Sequence, residues 1–208
     1  MLGALSRLGM SPEIALLVLA GMLFGGAINI PLRRFQRENE VVYDPMQIFG
    51  LDRLRMQLGE NWPFPFRKKA QTSMVLAVNV GGCLIPSAIA FYEIIRIIHR
   101  GPQFFLALLM ITGLNVGVCY RIARPVANVG IAMHPFIPPL VAAVPSILLL
   151  PEFAPPVAFV AGVMGSLIGA DLLHLKSIQE LHTGMASIGG AGTFDGIVLS
   201  GMIAALLA

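Results

Sequence analysis

The sequence predicts an all-α protein, a polytopic membrane bundle of about six transmembrane helices whose fourth span is broken by prolines. Three observations lead there. Of the 208 residues, 56% are hydrophobic and only 12% charged, with a mean hydropathy of +0.80, whereas a soluble domain carries about a quarter charged residues. Six apolar segments come near the ~20 residues that a helix needs to cross a ~30 Å hydrocarbon core. The 22 glycines and 15 prolines sit inside those apolar runs, where small residues serve helix packing. The same balance disfavours an unstructured tail, a secreted disulfide scaffold and a cytosolic enzyme. The net charge of +3 and pI near 9.2 arise from basic residues that flank the spans and form no long patch, so no nucleic-acid partner is expected. Cys83 and Cys119 lie in apolar stretches without a CxxC pattern, which leaves neither a disulfide framework nor a redox motif to propose.

Residues 1–30 hold the first span, Ile14 to Ile30; no small-x-small cleavage site ends it, so it reads as a retained helix and not a signal peptide. Residues 31–72 form the one long polar segment, with eight basic residues against five acids. The positive-inside rule makes this loop cytoplasmic. Threading the spans from there puts Arg121, Arg124 and Lys176 on the same side, eleven basic residues against three (Arg7, Arg96 and Arg100). The expected location is therefore a cell inner membrane, with both termini outside. Within the loop, Tyr43-Asp44-Pro45 reads as a turn. Asp52 to Gln57, with Trp62, Phe64 and Phe66 following, reads either as an interfacial piece or as an ordinary solvated loop.

Residues 73–208 carry the rest of the bundle: Ser73 to Ile95, Phe104 to Tyr120, Pro125 to Leu150, Pro155 to Leu175, and a last span that ends at Ala208. In the fourth, Pro135, Pro138, Pro139 and Pro145 cannot donate to a helix ladder, so a broken helix beside protein or a wet cavity is expected. His134 there reads as a buried hydrogen-bonding histidine. Gly21/Gly25, Gly113/Gly117 and Gly165/Gly169 are small-xxx-small pairs that permit close helix approach, and an oligomer is compatible with them. Asn79-Val80-Gly81 with Pro86, and Asn128-Val129-Gly130 with Pro135, hint at a duplicated two-helix unit.

The chemistry converges on the last 45 residues. Asp171 lies near the end of the fifth span and Asp195 at the start of the sixth. An ionisable residue in a span costs ~2.5 to 3.5 kcal/mol on insertion scales and marks a functional hypothesis. From Asp195 to Ala208 there are 14 residues, about 21 Å of helix, short of the ~30 Å core. The glycine-rich Ser187 to Phe194 stretch is therefore expected to dip into the protein as extended or irregular backbone, bringing Asp195 close to Asp171. Two carboxylates at one low-dielectric site share a proton. One then takes a proton from an attacking water while the other protonates or polarises a scissile carbonyl, with no cofactor or metal required. Gly189, Gly190, Gly192 and Thr193, with Pro135 and Pro138 of the broken span, would receive an extended peptide backbone.

Gly169-Ala170-Asp171-Leu172-Leu173-His174-Leu175, followed by Ser187-Ile188-Gly189-Gly190-Ala191-Gly192-Thr193-Phe194-Asp195-Gly196-Ile197, resembles the C-terminal signature of an uncharacterised family of bacterial and archaeal integral membrane proteins. The Ile131 to Leu140 proline segment is similar to that family too. In mechanism, Gly192-Thr193-Phe194-Asp195 and Gly169-Ala170-Asp171 resemble variants of the GxGD motif of presenilins, signal peptide peptidases and prepilin peptidases. That resemblance implies an intramembrane aspartyl protease with Asp171 and Asp195 as its catalytic pair, acting on a membrane-protein or peptide substrate.

Three other readings use the same residues. Asp171 and His174 share a helix face and, with Glu180 and His182 of the following loop and Asp195, would form a divalent-metal site. Broken helices and paired acids also suit a small cation- or proton-coupled transporter or channel. In a non-catalytic membrane protein the two aspartates would cap helix ends. Phosphate-binding and dinucleotide-binding glycine motifs and a GxSxG elbow do not occur.

Overall fold

A computed structural model describes residues 1–36, 73–126, 130–180, 185–190 and 196–208. The helices are α1 (Leu2–Arg7), α2 (Pro12–Gly25), α3 (Ile85–Ile98), α4 (Pro102–Ile122), α5 (Ile137–Leu149), α6 (Ala154–Ser166), α7 (Leu175–Glu180) and α8 (Gly196–Leu207). A π-helical turn, Val80–Leu84, leads into α3, and another, Leu167–Leu172, extends α6. Ser11 caps α2, accepting the Ile14 N–H at 3.4 Å, with Pro12 at the first helical position where no N–H is needed.

Three continuous helical stretches are long and apolar enough to cross a membrane, Val80–Ile98, Pro102–Ile122 and Pro151–Leu172. They mark the chain as a membrane protein. The helices α2, α5 and α8 are apolar but only 14, 13 and 12 residues long, about 20 Å each, below a full hydrocarbon crossing. The six apolar segments thus contain helices, and among the described residues three helical stretches have spanning length.

Strands are the main departure from the all-α expectation. β1 (Asn29–Gln36) pairs antiparallel with β2 (Ser73–Asn79), and β2 pairs in parallel with β5 (Met185–Ile188). The expected second span therefore begins as a strand, and the end of the expected first span is strand as well. A seven-residue apolar run such as Ser-Met-Val-Leu-Ala-Val-Asn has no periodicity that separates a buried strand from a helix start. Central in the sheet and covered by both neighbours, it takes the strand form. Pro31 sits in β1, an edge strand, where its missing donor is tolerated.

The fourth apolar segment also differs from expectation. Its first part is a two-stranded ribbon, β3 (Arg124–Val126) with β4 (Gly130–Ala132), and helix starts only at Ile137. Pro138 and Pro139 fall in the first turn of α5, where backbone N–H groups are unpaired in any helix, and only Pro145 lies inside it. Nearby, the Ser146 hydroxyl donates to the Ala142 carbonyl at 2.7 Å. His134 is exposed, its Nδ1 accepting the Phe136 N–H at 3.4 Å, so it is not the buried histidine expected. The hinted duplication does not extend to local structure, because Gly81 lies in a π turn and Gly130 in a strand; Asn128 and Val129 are outside the described residues.

The core is centred on α6, which packs on α8, α4, α5 and α3. The most apolar part of the Pro151–Leu172 stretch that contains α6 is 72% buried, against 28% for that of Pro102–Ile122. Small residues set the spacing. A Cβ on Gly162 would come within 2.7 Å of the Ser200 carbonyl oxygen on α8, and one on Gly165 within 2.5 Å of the Asn115 amide on α4. Asn115 is fully buried and donates from Nδ2 to the Ala161 carbonyl at 2.8 Å, which ties α4 to α6 and satisfies an amide that would be costly unpaired. Gly113 and Gly117 face open space within 4 Å, unlike the Gly165/Gly169 pair.

Candidate functional site

The site assembles where the end of α6 meets the end of β5. Asp171 lies in the π turn Leu167–Leu172, and its Oδ2 accepts the Gly189 N–H at 3.0 Å. A π turn carries an extra residue per turn and re-aims the side chains that follow it. Gly189 and Gly190 have φ of +80° and +73°, the left-handed region that glycine alone adopts without steric cost. The strand therefore ends with its amide turned toward Asp171. Irregular backbone at this point agrees with the expectation for the glycine-rich stretch, over the part of it that is described.

Gly189 is held from the other side by backbone. A Cβ on Gly82 would overlap the Gly189 carbonyl oxygen, and one on Gly189 would lie 2.6 Å from the Cys83 Cβ. Gly82 is itself fixed by Asn79, whose Oδ1 accepts the Gly82 N–H at 2.6 Å and caps the π turn. Asn79 is fully buried, and its Nδ2 donates to the Gly26 carbonyl at 2.7 Å and to Asn29 Oδ1 at 3.2 Å. Ser187 Oγ also donates to Asn29 Oδ1, at 2.6 Å. A polar relay thus joins the end of α2 to β2, β1 and β5, and two residues after Ser187 the Gly189 N–H meets the Asp171 carboxylate. Sequence reasoning used Asn79 only as part of a repeat, named Ser187 only as the start of the glycine-rich stretch, and passed over Asn29. The available signal was an asparagine closing an apolar run directly before Gly-Gly, the pattern of a helix cap.

A cavity of about 250 Å³ lies beside Asp171. Its walls include Ser166 and Asp171 from the α6 end, Met133 and Pro135 from the segment before α5, and Gly196 and Ile197 from the start of α8. Asp171 and Pro135, both expected at the site, are thus brought to one cavity, and Gly189 is bonded to Asp171. Pro138 is buried in the first turn of α5 and is not among the cavity-lining residues. Asp195, Gly192, Thr193 and His182 lie outside the described residues, as do the Tyr43 turn and the Asp52 to Phe66 piece of the loop.

His174, three residues after Asp171, places Nδ1 3.1 Å from the Gly169 carbonyl oxygen, so that nitrogen donates. Its ring lies 4.9 Å from that of Tyr120, tilted by 37°. Both contacts draw the imidazole toward α4 and its own turn. Among the described residues no group of three or more His, Cys, Asp and Glu side chains could hold a metal ion.

No curated protein and no solved structure matches the chain. Residues 23–207, which take in the whole relay and every described wall of the cavity, match the family described as "Protein of unknown function (DUF1614)", and the chain belongs to that family.

Proposed function

We propose that the protein is an intramembrane hydrolase that cleaves a peptide bond with Asp171 and Asp195 as its acid–base pair. The observation that carries the reading is the 250 Å³ cavity, which has Asp171 on one wall and Gly196, the residue directly after Asp195, on another. In this scheme one carboxylate accepts a proton as water adds to the scissile carbonyl carbon, while the other donates one to the carbonyl oxygen. The tetrahedral intermediate then collapses as the amine leaves with a proton. The Gly189 N–H fixes how Asp171 is presented. Pro135, with Gly189 and Gly190 beside the carboxylate, leaves room for an extended substrate backbone. The residue balance of eleven basic side chains against three supports an inner-membrane location with residues 31–72 in the cytoplasm.

The test is cleavage of a tagged pool of single-span peptides co-reconstituted in liposomes with the purified protein. Asp171→Asn and Asp195→Asn are each expected to lower cleavage by about 10² to 10⁴-fold, the usual range for a general acid or base. Full activity in either variant rules the pair out.

A second reading, a small cation- or proton-coupled transporter, is favoured by one observation: a larger cavity of about 490 Å³ lies at the opposite end of α3, by Tyr92 and Arg96. Ion flux in the same liposomes separates the two, since a hydrolase without transport leaves the ion gradient intact.

A further inference from the structure

We infer that the cavity at the Arg96 end of α3 binds an anionic phospholipid, with the lipid phosphate on the Arg96 guanidinium and an acyl chain along Ile89 and Ala88. This does not depend on the hydrolase reading. At about 490 Å³ the cavity falls within the size range of small-molecule sites. Its wall runs down α3 from Arg96 through Tyr92 and Ile89 to Ala88, eight positions away, which is about 12 Å along the helix axis. Arg96 stands two residues before the end of the Val80–Ile98 span, so its charge sits at headgroup level while Ala88 lies at acyl depth. A cation at the top and apolar walls below, including Ile14 of α2, fit an amphiphile and not a free anion.

The guanidinium is set up for a second acceptor. Nη1 donates at 2.9 Å to both carboxylate oxygens of the fully buried Glu93 and, at 2.9 Å, to the Leu8 carbonyl. These bonds anchor the group through one nitrogen. Nε and Nη2 retain three N–H donors that take no acceptor among the described residues, a fork that matches two phosphate oxygens. Gly9, in the cavity wall with φ +83°, leaves the approach open: a Cβ there would lie 3.9 Å from Nη2. Arg96 also lies 5.8 Å over the Tyr92 ring and 5.9 Å over Phe153, with Arg100 4.8 Å over the same Phe153. Such basic and aromatic side chains gather where a protein meets lipid headgroups.

The experiment is native mass spectrometry of the full chain released from micelles, titrated in parallel with phosphatidylglycerol, phosphatidylcholine and glycerol 3-phosphate. One phosphatidylglycerol is expected to be retained about tenfold more tightly than phosphatidylcholine, with glycerol 3-phosphate not retained. Ala88→Phe fills the apolar floor from an exposed position on α3, and Arg96→Lys keeps a charge beside Glu93 but loses the fork; each is expected to weaken phosphatidylglycerol retention about tenfold. If either variant fails to fold, the other still decides. Unchanged retention in a folded variant, equal retention of the two lipids, or retention of glycerol 3-phosphate alone overturns the proposal.

Discussion

At the N-terminal end of α3 backbone meets backbone, whereas at its C-terminal end long side chains make the junction. Near Asp171, Gly82 lies against Gly189 and Gly81 against the Met22 and Gly26 backbone, with the Asn79 amide bridging them. Near Arg96, the Glu93 carboxylate, the guanidinium and two aromatic rings hold α1 to α3 beside a cavity. The difference is one of tolerance. Backbone contacts have no rotamers to adjust, so the first junction fixes a strand end and a carboxylate. Flexible side chains around open space let the second accept a ligand while keeping its buried charge compensated.

The comparison predicts different failures at the two ends. Arg96→Ala is expected to cost most, about 3 kcal/mol in reversible unfolding from mixed micelles, because it strands the Glu93 carboxylate; the figure sits at the low end for a buried pair since Arg96 is 35% exposed. A loss below ~1 kcal/mol would show that the ion pair does not hold this end together. Gly82→Ala is expected to cost about 2 kcal/mol by forcing β5 away from the π turn. The same displacement should release Asp171 from Gly189, read as faster amide hydrogen exchange at Gly189. Gly113→Ala, on the open face of α4, serves as the control and is expected to change stability by no more than ~1 kcal/mol, in the stabilising direction, since alanine is the better helix former. A large loss there would mean that this face is covered in the membrane.

Much of the helical layout was legible because apolar runs of spanning length and glycine pairs at i and i+4 act locally. Asp171 could be picked out for the same reason, as a charge inside an apolar run. The sheet could not be read in advance. Val75 pairs with Met185, 110 positions apart, and no local pattern in either segment names its partner. Prolines misled in the fourth segment, where Pro138 and Pro139 begin a helix instead of breaking one. Asn79 escaped notice because half of its role depends on Gly26 and Asn29, which only the folded chain brings beside it.

The parallel pairing of β2 with β5 also imposes an order on synthesis. At roughly 5–20 residues per second, the ribosome needs about 5 to 20 s to deliver Met185 after Val75 has emerged. During that interval β2 exposes one edge, and Gly189 has not yet been made to meet Asp171. An insertion machinery or chaperone that shields nascent strands has its natural moment here, and a chain stalled before residue 185 would carry the three long apolar helices of the described residues but not the Gly189 N–H that meets Asp171.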